Sequence, residues 1–202
     1  MTIRKGSTYG SQAPLPKGSP VVTSDGELRE IIVASRARGE TDVVVGLLGG
    51  DLWKTLGGSG SVARLESEEA VTVPVDLIIA TIDETDVPVV AHLIAGRLFG
   101  KDFVAVMNAQ WLGQLDLGPR SHPGDGLLDI TTGSLPWRER RTALKRAETG
   151  THLPHPSLSY RRAKTAEIQF DRPNDLVIDG SLHYMARSLS VRVEIDAYSV
   201  VV

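Results

Sequence analysis

The chain has no cysteine among its 202 residues. That single absence excludes disulfides, thiolate metal sites and cysteine nucleophiles, and nothing in its folding depends on an oxidising compartment. Aromatic residues are scarce at 5%, and neither sign of charge dominates, the net charge being −3. A balance of this kind argues against a nucleic-acid protein held by bulk electrostatics. No apolar run approaches the roughly 18 residues that a membrane-spanning helix needs. Residues 1–20 are rich in Gly, Ser, Pro and Lys and lack the apolar centre of a secretory signal. A soluble, cytoplasmic protein is expected.

A chain of this length buries one good core, or one small domain and part of another. The apolar pattern favours the second. Residues 1–19 can bury little that would offset their ordering entropy, which predicts a flexible arm. Pro20 to Thr23 is a short strand. Ser24 and Glu27 then have the spacing of a capping box ahead of Leu28, Ile31 and Ile32, a stripe of helical period that stops at Gly39. Asp42 to Leu48 is a second strand, followed by Gly49-Gly50-Asp51 and a short helix ending at Gly57-Gly58. Strand, helix, strand, glycine turn and helix make one βαβα unit with a parallel pair.

After an acidic connector at Glu66 to Glu69 the period changes to that of strands. Val73 to Ile82, Val87 to Phe99 and Phe103 to Gln110 are rich in β-branched residues and separated by short turns. His92, inside one of these runs, reads as a core histidine. Near the C-terminus, Leu189, Val191, Val193 and Ile195 alternate with Arg192, Glu194 and Asp196, so one face is buried and the other wet. The predicted fold class is α+β: an α/β layer over 20–70 packed on a larger, mainly antiparallel β domain over 71–202.

Two further stretches carry chemistry. Pro119 to Asp129 holds two prolines and two glycines around Asp125 and leads into an apolar run. It is either an ordinary turn whose aspartate caps its own backbone, or a loop whose hard oxygen donors, Ser121, Asp125 and the carbonyls, hold Mg²⁺ or Ca²⁺. Ser134-Leu135-Pro136 starts a helix running to Gly150, with Arg138, Arg140, Arg141, Lys145 and Arg146 against Glu139 and Glu148. That is either a solvated face or a basic surface for anionic lipid or phosphate. His152 and His155 flank Pro154 and read as loop-packing residues.

Asn108-Ala109-Gln110, Gly113 and Pro119, then Asp125-Gly126-Leu127-Leu128-Asp129, resemble the signature of the diacylglycerol kinase family of soluble lipid kinases. That family shares its fold with sphingosine kinases and NAD kinases. The resemblance continues through Gly150 to Leu153, His155-Pro156, Asp171 to Pro173 and Val177 to Gly180, and is worn in the N-terminal half. It implies a structural Mg²⁺ on the loop, held by Asp125 and the main-chain carbonyls of His122 and Leu127. It further implies that Thr23 to Glu27 stands at one phosphate-binding turn, with Asp25 and Gly26, and Leu48 to Asp51 at another, with Gly49, Gly50 and Asp51. Both turns depart from the family pattern. Thr23 and Ser24 replace glycines, Glu27 and Leu48 replace hydroxyls, and the further βαβα unit that precedes these turns in the family has only the N-terminal arm to stand for it. A phosphate cradle needs backbone N–H groups free to approach the anion.

The family's general base is a glutamate at the position of Ser181, and a serine there accepts no proton near neutral pH. NAD kinases use the aspartate at the position of Asp25. The expectation is thus a diacylglycerol kinase-like protein with weak or lost activity, a degenerate ATP site, and a lipid- or ligand-binding or regulatory role. The alternatives are an active ATP-dependent lipid kinase, with Asp25 as base and a second subunit completing its nucleotide site, and a purely structural partner subunit. Peripheral membrane contact and a homo-oligomer belong to the same expectation.

Overall fold

The computed structural model describes residues 9–202. In chain order the elements are β1 (Ser11–Gln12), β2 (Val21–Val22), α1 (Asp25–Ala37), β3 (Val44–Leu47), α2 (Asp51–Thr55), α3 (Val62–Leu65), β4 (Val71–Ile82), β5 (Thr85–Val89), β6 (His92–Ala95), β7 (Phe103–Met107), β8 (Trp111–Leu112), β9 (Leu115–Asp116), β10 (Leu128–Gly133), α4 (Trp137–Ala147), β11 (Leu158–Ala163), β12 (Thr165–Ile178) and β13 (Leu182–Val201). The fold is mixed α+β and mostly antiparallel sheet. Eleven strands form one sheet whose main path is β1-β4-β13-β12-β6-β7-β10-β11, and β8 and β9 form a small ribbon of their own.

The segment over 20–70 joins this sheet edge-on. β2 runs parallel to β3, and β3 runs parallel to the end of β13, with Val45 opposite Val200. The expected parallel pair is present, and it continues the sheet instead of forming a layer apart. One apolar cluster, including Leu28, Ile32, Val45, Leu47, Leu77 and Val200, therefore spans the expected boundary near residue 70. A second cluster, with Ile78, Leu93, Val106, Ile130, Leu176 and Leu189, draws on β4, β6, β7, β10, β12 and β13 and is the interior of the antiparallel part.

The N-terminal arm differs from expectation where it is described. β1 pairs with Val71 and Thr72 of β4, Leu15 N–H donates to the Leu65 carbonyl at 2.7 Å, and the Tyr9 hydroxyl donates to the Pro74 carbonyl. The polar sequence conceals this, because backbone pairing to a free strand edge needs no apolar side chain. Residues 1–8 of that expected arm lie outside the described residues.

Two expected strands are shorter than their apolar runs, and for the same kind of reason. The run from Val87 to Phe99 breaks after β5 because the N–H groups of Val90, Ala91 and His92 turn to the Asp179 carboxylate, at 3.0, 2.9 and 3.1 Å. The run from Phe103 ends at Met107 because Asn108, fully buried, spends its side-chain amide on the carbonyls of Asp76 and Val90, at 2.8 and 3.0 Å. Buried polar side chains can claim backbone groups that would otherwise extend a ladder. Helix α4 starts at Trp137, with Pro136 as its N-cap and not Ser134.

Candidate functional site

β2 delivers the chain to α1 through Thr23-Ser24. The Ser24 hydroxyl accepts the Glu27 N–H at 3.3 Å, and the Glu27 carboxylate reaches back to the Thr23 N–H at 2.8 Å and the Thr23 hydroxyl at 3.1 Å. These bonds, first the one from the Thr23 N–H, hold the Glu27 carboxyl below the usual range. Thr23, Ser24 and Glu27 are thus the cap of α1.

Asp25, the first residue of α1, points inward and is 8% exposed. Its carboxylate accepts the N–H of Asp51 at 2.6 Å and of Leu52 at 3.1 Å, the groups at the start of α2. Gly50 permits this approach. Its φ is +97°, and a Cβ there would lie 2.6 Å from Asp25 Oδ1. A Cβ on Gly49 would run into the Thr23 carbonyl, so the two glycine-bearing turns close directly on each other. Burial pushes the Asp25 carboxyl up to about 6 against the pull of its two N–H bonds.

Asp51 faces the other way. Its Oδ2 lies 2.9 Å from His92 Nε2, and its Oδ1 accepts the Gly113 N–H at 2.9 Å. Lys54 donates to the Gly113 carbonyl at 2.9 Å and sits 3.7 Å over the Trp111 ring, which ties α2 to the β8–β9 ribbon. Burial opposes the charged form of His92, but the Asp51 bond and the fields of Asp179, Asp51 and Asp25 prevail and raise its pKa. Asp179 lies just beyond, in the turn between β12 and β13, where Asp179 and Gly180 both have positive φ as a type I′ turn requires. Fully buried on its side-chain atoms, Asp179 has Arg29 Nε at 3.8 Å as its ionic neighbour. Burial raises its pKa against the opposing effects of His92 and its three N–H bonds. Ser181 follows that turn, and its Oγ would be 2.7 Å from a Cβ on Gly26.

Asp25, Gly26, Gly49, Gly50, Asp51 and Ser181 are therefore brought to one place. Sequence reasoning missed three neighbours there: His92, which it placed in the core, together with Arg29 and Asp179. His92 is indeed 2% exposed, but its partner is a carboxylate. Among the described residues, Asp25, Asp51 and His92 also offer metal-ligand atoms within 4.8 Å of one another. Both oxygens of each aspartate are already engaged by N–H groups or by the histidine.

His122, Asp125 and Leu127 form a second locus. Asp125 Oδ1 accepts the Leu127 N–H at 3.0 Å, its Oδ2 pairs with the Arg162 guanidinium, and the Asp125 N–H donates to the His122 carbonyl at 3.4 Å. Arg162 Nε also meets Asp129 at 3.2 Å, and the Tyr160 hydroxyl donates to the same carboxylate. Asp76 of β4 lies beneath, accepting the Gly126 N–H at 2.7 Å and the Asp196 N–H at 2.9 Å. Burial first, then the charge of Asp125, push its carboxyl up to about 6. Asp76, Asp125 and Asp129 thus outnumber Arg162, and the oxygen donors suit a hard divalent cation. Such an ion would share Asp125 with Arg162 or displace it.

No family model and no curated protein matches the sequence. Solved structures do match the fold. A structure described as a diacylglycerol kinase from Bacillus anthracis str. Sterne aligns over 78% of this chain and 66% of its own length, just under two thirds, at 16% identity and a TM-score of 0.53. The fold is that of diacylglycerol kinase-like structures. Two candidate diacylglycerol kinases from the same organism align over 92% and 89% of this chain and 78% and 76% of their own lengths, at 14% and 15% identity and TM-scores of 0.65 and 0.59. At such identities the likeness speaks for the fold. Among the described residues no helix is long and apolar enough to cross a membrane.

Proposed function

We propose that this chain is a lipid-kinase-like protein whose nucleotide site is worn, with weak or lost phosphotransfer and a lipid- or ligand-binding or regulatory role. One observation carries the reading. The N–H groups of Asp51 and Leu52, which a phosphate would need, are engaged by the Asp25 carboxylate. An internal anion already fills their demand, and a nucleotide phosphate would have to displace it while meeting the charges of Asp25, Asp51 and Glu27. Ser181 at the family's base position removes a further factor of roughly 10² to 10⁴ in rate.

The active-kinase alternative draws support from a different observation. Burial places the Asp25 carboxyl at about 6, near the range of a general base. Calorimetric titration with Mg·ATP, followed by phosphorylation assays on diacylglycerol and sphingoid bases, separates the two. Weak binding and little turnover, unrestored by Ser181→Glu, are expected. Micromolar affinity with turnover abolished by Asp25→Asn would install the active kinase.

A structural Mg²⁺ held by Asp125 and the carbonyls of His122 and Leu127 belongs to the same proposal. Its support is the excess of carboxylates over guanidinium at the loop. The expected result is that added Mg²⁺ raises the melting temperature of the wild type and leaves Asp125→Ala unmoved. Equal indifference of both proteins would leave Arg162 as the loop's sole counter-charge. A cytoplasmic location and a homo-oligomer complete the proposal, and light scattering on the purified chain tests the latter.

A further inference from the structure

Helix α4 buries Ala143 and Ala147 and turns most of the rest of its surface outward. Arg138, Arg141 and Lys145 recur at three- and four-residue spacing, so they form one exposed stripe, and Arg146 lies beside it. Among the described residues none of these four has a carboxylate partner, and the Arg138 guanidinium instead sits 5.3 Å over the ring of Trp137. Trp137, the first residue of the helix, is 67% exposed. Within α4 five basic residues stand against Glu139 alone, in a chain of net charge −3, so positive charge is concentrated here at the expense of the rest of the surface.

Residues at both ends of the helix border hollows. Ser134, just before α4, borders a cleft of about 740 Å³ lined by Phe103 and Phe170, with Lys101 and Arg161 balanced by Asp102 and Glu167. Gly150, just after α4, borders one of about 490 Å³ with Leu153, Leu158 and Tyr160 on its walls and Arg120 among them. The hollow after the helix thus adds a cation and apolar walls to a helix that begins on an exposed indole.

We propose that the exposed basic stripe of α4 is a docking surface for an anionic bilayer, with Arg138, Arg141 and Lys145 facing the headgroups and Trp137 entering the interface. The alanine face of α4 is spent on the protein core, so the helix lies on the membrane without inserting its length. The indole supplies the shallow anchor that tryptophan provides at bilayer surfaces, and each basic side chain adds attraction to anionic lipid. Nucleic acid fits less well, because the cations are confined to one helix face beside an exposed indole. The proposal deepens the lipid-binding reading by naming the surface that meets lipid, and it rests on that reading.

The test is co-flotation of the full chain, without nucleotide, with phosphatidylcholine vesicles alone or containing a minority of phosphatidylglycerol. Binding is expected only to the anionic vesicles, and added salt should weaken it. Arg138→Gln, Arg141→Gln and Lys145→Gln should each lower the partition constant about fivefold, in line with the usual contribution of one basic side chain near such a surface. Their melting temperatures should match the wild type, since the side chains make no ion pair that the substitution would break. Anionic vesicles should shift tryptophan emission to the blue, and Trp137→Phe should lose that shift while Trp53 and Trp111 remain. Failure to bind, equal binding to both vesicles, or retention of full affinity by the triple variant overturns the proposal. So does equal affinity for heparin with no emission shift, which would mark a general polyanion site. Because no nucleotide is present, failure here leaves the Mg·ATP result standing, and failure there leaves this one.

Discussion

Asp179→Ala is expected to lower stability by about 3–5 kcal/mol, the usual cost of breaking a buried charged pair from one side. The carboxylate holds the N–H groups of Val90, Ala91 and His92 where β5 gives way to β6, and Arg29 Nε stands 3.8 Å from it. Removing it leaves three N–H donors unsatisfied and takes the counter-charge from a largely buried guanidinium, and no rearrangement of an alanine can reach them. A domain of this size loses roughly 2–4 °C in melting temperature per kcal/mol, so a drop on the order of 10 °C should appear in thermal unfolding. Asp179→Asn keeps one carbonyl oxygen for those donors and should lose clearly less. A melting temperature for Asp179→Ala within about 2 °C of wild type would mean that the strand break is held by packing alone.

That strand break also shows what the amino-acid order can and cannot convey. Periodicity reports burial, and burial is legible here: the apolar stripe of α1 buries Leu28 and Ile32, and the alternation in β13 buries Leu189 and Val191 but fails at Ile195, 43% exposed where β13 shifts register against β4. Ser24 and Glu27 cap α1 as their spacing implies, because a cap is local and its partners lie within four residues. Partners far along the chain leave no such trace. His92 sits in an apolar run and is buried, and only the fold brings it to Asp51. Asp76 looks like an interruption in a strand, yet its carboxylate gathers the N–H groups of Gly126 and of Asp196, where β13 shifts register against β4. Arg162, one of several basic residues in sequence, is the one that closes on Asp125 and Asp129. The parallel pairing of β3 with β13 is likewise hidden, since either strand alone reads as an ordinary apolar run. In each case the missing information is the identity of a distant partner.

Asp25→Asn is expected to change the sign of its effect on stability with pH. The Asp25 carboxyl is raised from 3.8 to about 6 in the folded chain, with burial as the largest cause. Between those values the folded state binds more protons than the unfolded one, so stability is fully present below about 3.8 and is lost as pH rises through about 6. A rise of that size corresponds to about 3 kcal/mol once the group is ionised. The amide carries no charge and escapes that cost. It keeps one oxygen for the N–H groups of Asp51 and Leu52 but turns a donor toward the other, a loss of about 1 kcal/mol or more. The variant should therefore be less stable than wild type near pH 4 and more stable, by about 1–2 kcal/mol, near pH 8. His92, whose pKa is raised by Asp51 despite burial, slopes the same way, as do the raised carboxyls of Asp76 and Asp179, and together they should survive as residual pH dependence of the variant. Urea unfolding at the two pH values reads the crossover directly. A variant less stable at both would show that the two N–H bonds outweigh burial, and that the carboxylate sits in its site as a well-satisfied anion.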